Sequence, residues 1–299
     1  DVNPVWLAIG AITYFAAVAV IALRWQFVLR AVKVVPLSRL TQIVAIGYMG
    51  NNVYPLRAGE ALRIFLLRRN ENIPVTQSTT TVIVERVFDG LVMLSFIVLA
   101  LATIQIESEE IRTVATFAAG IFLPAMGVFF VLAAQPNLLR KLIAVISHIL
   151  PGTLQDIIAG ISEDIIQGLE ALRSPVNLAG AVVCSFITWS IEALVYWMVM
   201  QAFSMETGYA VALLVVGTVN LAGLIPASPG QVGVYEFFAS TVLIAVGIAQ
   251  DTALAYAIVV HIVIWLPVTL AGFFFFAKMG LSRESVQKAR ELETETVTG

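Results

Sequence analysis

The sequence predicts an all-α integral membrane protein, a helical bundle of about five to seven spans. Three observations carry that expectation. Of 299 residues, 59% are hydrophobic and only 12% charged, where a soluble domain has about 25% charged residues. Several apolar runs approach or exceed the roughly 18–20 residues that cross a bilayer. Two further apolar segments are interrupted by proline and glycine. Polar backbone freed by such breaks persists at membrane depth only inside protein or beside water.

Residues 5–23, 80–104, 112–134, 176–203 and 252–277 are long, apolar and helix-compatible, and read as spans. Residues 40–56 are shorter and end in NNVYP. The loop before them carries Arg24, Arg30, Lys33 and Arg39; the loop after them carries Arg57, Arg63, Arg68 and Arg69. Basic residues mark the cytoplasmic side, so both loops belong inside. Residues 40–56 and 58–69 therefore read as a re-entrant helical hairpin. The span at 80–104 then exits to the acidic stretch 106–112, and 112–134 returns to Arg140 and Lys141. In the insert 138–172, apolar residues recur at helical spacing from Leu154 to Leu172 with acidic residues between them. It reads as an amphipathic cytoplasmic helix packed on the bundle.

The span at 176–203 exits near SMETG. Residues 209–248 form an apolar stretch broken by IPASPGQVGVYE that starts and ends outside, as a hairpin or as two spans. The last span delivers Lys278, Arg283, Lys288 and Arg290 inside. Domain organisation follows: one transmembrane domain over 1–277, with a first half to about 134 and a second from 176, and a charged, frayed cytoplasmic tail from 278 to 299. The start at DVNP has no Met and no basic leader. It reads as lacking a signal peptide and as having its natural start, with a further span, upstream.

The two broken elements enter from opposite faces and share a pattern. Pro55-x-Arg57-x-Gly59-Glu60 lines up with Pro226-x-Ser228-x-Gly230-Gln231, with Asn52 and Asn220 upstream. Paired interrupted segments in two halves point to the binding site of a transporter built as an inverted repeat.

Charged residues inside apolar spans are the main site candidates. Glu85, Arg86 and Asp89 fall in the first turns of the span at 80–104. Each charge at the bilayer centre costs about 2.5–3.5 kcal/mol on insertion scales, so the three must be paired and face protein or water. Arg57, Arg63 and Arg86 are expected to interlock with Glu60, Glu85 and Asp89. The cluster either anchors the hairpin or also leaves an arginine for an anionic ligand, whose phosphate suits a planar guanidinium. In the second half, Ser228, Gln231, Tyr235 and Glu236 follow the break, and a helix start after Gly230 would present N–H groups to an anion. Glu236 could instead cap that helix. Glu192 sits mid-span and needs a donor or stays protonated; a cationic head group or a proton would suit it. His261 reads as hydrogen-bonded to a neighbouring helix.

Several classes are excluded. No broad basic field or stacking motif points to nucleic acid. His148, His261 and Cys184 have no metal-ligand spacing. No Walker loop, dinucleotide fingerprint or nucleophile elbow is present, so transport would be passive or ion-coupled, with no cofactor or metal.

The motifs NNVYPLRAGEALRIFLL, VERVFDGLVML and NLAGLIPASPGQVGVYEFF together resemble the transmembrane flippase-like domain of the lysylphosphatidylglycerol synthase/flippase family. The resemblance covers about residues 5–277. It implies a translocase in the cytoplasmic membrane, moving an anionic or aminoacylated phospholipid between leaflets, or a polyprenyl-phosphate-linked lipid. The family's aminoacyl-transfer domain is absent, which implies that a separate lipid synthase or glycosyltransferase is the partner. Two alternatives stay open: an enzyme of polyprenyl-phosphate glycan or lipid modification with Glu60, Glu85 or Asp89 as base, and a scaffold for a synthase.

Overall fold

Helix α1, Pro4–Leu29, is started by Pro4 at its first position and by Asn3, whose side chain accepts a hydrogen bond from the Val5 N–H at 3.0 Å. In this computed structural model the described residues are 2–55, 58–104, 173–223 and 228–298, with scattered positions between 120 and 145. The expected span at 112–134, the acidic stretch before it, the insert at 138–172 and Arg57 lie outside the continuously described residues.

Helix α2, Leu37–Val53, and helix α3, Ala58–Glu71, fold back on each other, α2 ending at Tyr54 and Pro55. Helix α4 is Val75–Thr103. In the second half, α5 is Pro175–Ala202 and α6 is Tyr209–Ala222. A short 3₁₀ turn, Pro229–Gln231, precedes α7, Val234–Ala245. Helix α8 is Gln250–Lys278 and α9 is Arg283–Thr298. By length and composition α1, α5 and α8 are able to cross a membrane. Helix α4 is as long as α8, at 29 residues, and carries the charges of the expected site.

Helices α1 and α5 run antiparallel along their whole length. The Asn3 N–H donates to the Ala202 carbonyl at 2.9 Å at one end, and Gly180 lies under the Phe27 ring at the other. Tyr14, Ala17, Val18, Ile21, Arg24, Trp25 and Val28 on α1 repeat at helical spacing and are all buried.

The α2–α3 hairpin is drawn tight by glycines. A Cβ added at Gly50 would stand 2.7 Å from the Gly59 Cα, a separation that only a Gly–Gly crossing permits. The Gly59 N–H is taken by Asn51 Oδ1 at 2.9 Å, which caps α3. At the open end, Lys33 and Arg39 pair with Glu71 at 2.9 and 2.7 Å. The start of α2 and the end of α3 therefore lie together, and the chain leaves the hairpin on the side from which it entered.

The second broken segment also folds back: α6 packs on α7, and α7 on α8. Helix α8 lies across α2, where Gly272 meets Ala45 and Met49. The two breaks meet at the centre. Asn52, at the end of α2, donates to Thr269 of α8 at 2.8 Å. The 3₁₀ turn rests on the same end of α2.

Four expectations change. Arg24 is not a loop residue, because α1 continues past it to Leu29. The second helix start falls after Gly233, not Gly230, which sits in the 3₁₀ turn at φ +65°. Gly59 is in the first turn of α3, so Gly59 and Gly230 are aligned in sequence without sharing a conformation. The start of the tail does not hang free: α9 packs on α3 with Val286 and Ala289 buried, and Arg290 donates to the Pro55 carbonyl at 2.9 Å.

Candidate functional site

The charges of α4 are brought against α1 and α3 in one buried network. Glu85 is fully buried and holds two arginines. Arg24 reaches its Oε1 through Nη2 at 3.1 Å and Nε at 3.3 Å. Arg63 bonds its Oε2 and stacks its guanidinium 3.9 Å over the Trp25 ring. Asp89, one turn along the same face, accepts from Arg24 Nη1 at 2.5 Å and from the Trp189 indole at 2.8 Å through Oδ1. Its Oδ2 lies 3.4 Å from Arg86, which is also 3.3 Å from Glu60.

Three guanidinium groups thus face three carboxylates. A buried charge without its partner would be costly, and a complete network offsets that cost. The members differ in access. The side chain of Arg86 is 33% exposed, against 3% for Arg24 and 7% for Arg63. Its two carboxylate contacts are also the longest of the set.

Beside this network is a cavity of about 350 Å³, within the roughly 300–1,000 Å³ typical of small-molecule sites. It opens where the α2–α3 and α6–α7 breaks meet. Its lining includes Arg24, Arg86 and Asp89 of the network together with Asn52, Gln231 and His261. Glu192, 4% exposed, lines it too, as does Asn220, whose amide donates to the Val216 carbonyl at 3.0 Å.

The second-half candidates have specific contacts. Glu236 turns one oxygen back onto the Gly233 N–H at 2.6 Å and the other onto His261 Nδ1 at 2.5 Å. It is both the expected cap and the partner of His261. Tyr235 stacks on His261 at 4.1 Å and donates to the Tyr196 hydroxyl at 2.6 Å. Ser228 is exposed and donates to the Val232 carbonyl at 2.6 Å. Gln231 packs against Gly223, and Gly230 against Asn52 and Trp265.

The structure therefore brings Asn52, Arg63, Arg86, Asp89, Glu192, Asn220, Gly230, Gln231, Tyr235 and Ser228 to the cavity wall. Glu60 and Glu85 stand behind it in the network, and Glu236 reaches it through His261. Arg63 and Arg86 are both paired, so either would meet an anionic ligand only when freed transiently, the other form of the expectation. Sequence reasoning missed Arg24, which joins Glu85 to Asp89, and the aromatic wall of Tyr14, Tyr48, Trp189 and Tyr196.

The model of the family described as the lysylphosphatidylglycerol synthase TM region matches residues 1–272. The chain belongs to that family. Relatives within reach of the lysylphosphatidylglycerol synthase TM region include the glycosyltransferase AglD of Haloferax volcanii, 26% identical over 296 residues. That alignment covers 88% of this chain and 47% of AglD, so the chain spans about half of that relative's length. A UPF0104 membrane protein of Methanothermobacter thermautotrophicus is 24% identical across 90% of this chain and 82% of its own. One from Pyrococcus horikoshii is 22% identical across 91% and 86%. No solved structure matches. As a member of the lysylphosphatidylglycerol synthase TM-region family with several long apolar helices, the chain is a multi-pass membrane protein with a flippase-like domain.

Proposed function

We propose that the chain translocates an anionic lipid between leaflets, holding the head group in the central cavity while the acyl chains stay in the bilayer. The observation that carries this reading is a cavity whose wall carries paired charges, at the meeting point of two broken helical hairpins. In this reading the α2–α3 hairpin is re-entrant from the cytoplasmic side and the α6–α7 hairpin from the other, as an inverted repeat.

Arg86 is the phosphate ligand. It is the most exposed arginine of the network, and its long contacts to Glu60 and Asp89 yield most readily to an incoming oxyanion. Arg24 and Arg63 keep the wall in shape. The substrate is an anionic or aminoacylated phospholipid, or a polyprenyl-phosphate-linked lipid. The likeness to a protein named a glycosyltransferase favours the glycan-carrying lipid among these, with a separate glycosyltransferase as partner.

The test is lipid movement in proteoliposomes. Purified protein is reconstituted with head-group-labelled phosphatidylglycerol or phosphatidylcholine, and an impermeant reductant quenches the outer leaflet. Quenching beyond the outer-leaflet fraction, lost in Arg86→Ala, supports translocation through this cavity. Quenching that halts at the outer leaflet for both lipids removes them as substrates. The polyprenyl-phosphate lipid is then the probe that decides.

A further inference from the structure

Glu192 is the one carboxylate on the cavity wall that the network leaves out. It is 4% exposed, and no basic side chain among the described residues pairs with it. The groups that share the cavity wall with it are Tyr14 of α1, Tyr48 of α2, Asp89 of α4, Tyr196 of α5, Asn220 of α6 and Tyr235 of α7. The tyrosines and Asn220 offer hydrogen bonds without charge, and Asp89 is of like sign. The described arginines on that wall, Arg24, Arg63 and Arg86, are held by Glu60, Glu85 and Asp89.

Charge balance then sets what enters. Among the described residues, the three arginines and three carboxylates of the network pair with one another. Glu236 pairs with His261. An ionised Glu192 is then a negative charge that no described cation pairs before any ligand arrives. An anionic head group on Arg86 would draw that cation from Asp89 and add a second. In a low-dielectric site such an excess is not tolerated, and a proton is the compensation that fits a closed carboxyl pocket.

We propose that Glu192 is a proton-binding site that couples head-group entry to proton uptake, one proton for each anionic head group. The proton comes from the aqueous phase on the loading side and adds to a Glu192 carboxylate oxygen. It leaves to water on the other side when the head group departs, and no covalent bond to the lipid forms or breaks. The coupling rests on the translocase reading above, whereas the proton site does not.

Two measurements separate the two. The first is infrared difference spectroscopy of the purified protein in phosphatidylcholine vesicles, before and after adding phosphatidylglycerol, across a pH series. A protonated-carboxyl band should grow on addition of phosphatidylglycerol, vanish in Glu192→Gln and return, shifted, in Glu192→Asp. A band unchanged by lipid, or one that survives in Glu192→Gln, overturns the proposal whatever the transport result. The second is redistribution of labelled phosphatidylglycerol under an imposed pH gradient. Wild type and Glu192→Asp should respond to the gradient and lose the response with a protonophore, while Glu192→Gln moves lipid without regard to it. A wild-type rate that ignores the gradient overturns coupling. If no lipid moves in any variant but the band responds to phosphatidylglycerol, the translocase reading falls and the proton site stands.

Discussion

Arg24 of α1 and Glu85 of α4 lock together 3.1 Å apart with both side chains almost wholly buried. Sixty-one residues separate them in the chain, so the contact ties the first helix to the charged segment of α4. Removing one partner strands the other in a low-dielectric interior. Arg24→Met is expected to destabilise the protein by roughly 3–5 kcal/mol. The double variant Arg24→Met, Glu85→Gln should cost less than the two single changes added, with a coupling of about 0.5–3 kcal/mol. Thermal midpoints of the four proteins in one detergent decide it; strict additivity would show that the pair contributes only as separate side chains.

Much of this arrangement was legible because charges in apolar spans are expensive. Glu85, Arg86 and Asp89 had to be paired, and the flanking arginines of the first hairpin were the partners at hand. The hairpin itself followed from basic residues on both sides of a short segment, which agrees with Lys33 and Arg39 meeting Glu71. Arg24 was illegible for the same reason that the hairpin was legible. An arginine at the end of an apolar run reads as a cytoplasmic flank, although WQFVL after it continues the buried stripe through Trp25 and Val28. The tail was expected as a frayed helix, and its packing was missed because the charged sequence of α9 hides a contact made through Val286, Ala289 and Arg290. The facing tyrosines around Glu192 come from different helices, and no local spacing announces such a convergence.

The Gly50–Gly59 crossing sets how closely α2 and α3 approach. A Cβ at Gly50 would stand 2.7 Å from the Gly59 Cα and 2.8 Å from Leu62 Cδ1. The leucine tip can move, but the backbone of α3 cannot without opening the hairpin. Gly50→Ala is expected to cost about 1–3 kcal/mol and to raise protease sensitivity at the break. Gly90→Ala, where an added Cβ meets nothing within 4 Å, is the matched control. Equal stability of the two variants would refute the close-crossing account.

Glu71 gives the hairpin base an acid-sensitive clamp. Burial pushes its carboxyl upward, but hydrogen bonds and charge from Lys33 and Arg39 outweigh it and hold the group below the usual carboxylate value. A carboxylate lowered in the folded state stabilises above its unfolded pKa of about 4.3. That contribution is lost as pH falls through the folded value. Glu71→Gln should therefore melt below wild type at neutral pH, with the gap closing as both are taken to strongly acidic pH. A gap that persists unchanged in acid would mean that packing, rather than charge, links the two ends.

Exposure separates the roles of Arg86 and Arg24, which otherwise share Asp89. Arg86 is one-third exposed with contacts of 3.3 and 3.4 Å, while Arg24 is buried with a contact of 2.5 Å. A partly exposed pair is worth about 0–1 kcal/mol to stability, so Arg86→Ala should keep a near-native thermal midpoint. A charge-assisted bond to a ligand phosphate is worth about 1.5–3 kcal/mol. Labelled phosphatidylglycerol should accordingly move at least about tenfold more slowly in Arg86→Ala, and Arg86→Lys, which keeps the charge without the planar fork, should fall between. Arg24→Met should show the reverse balance, with stability lost first and movement lost only with it. If Arg86→Ala unfolds as Arg24→Met does, Arg86 belongs to the scaffold and the phosphate must be held elsewhere on the cavity wall. If Arg86→Ala stays folded and moves lipid at the wild-type rate, the head group does not bind Arg86.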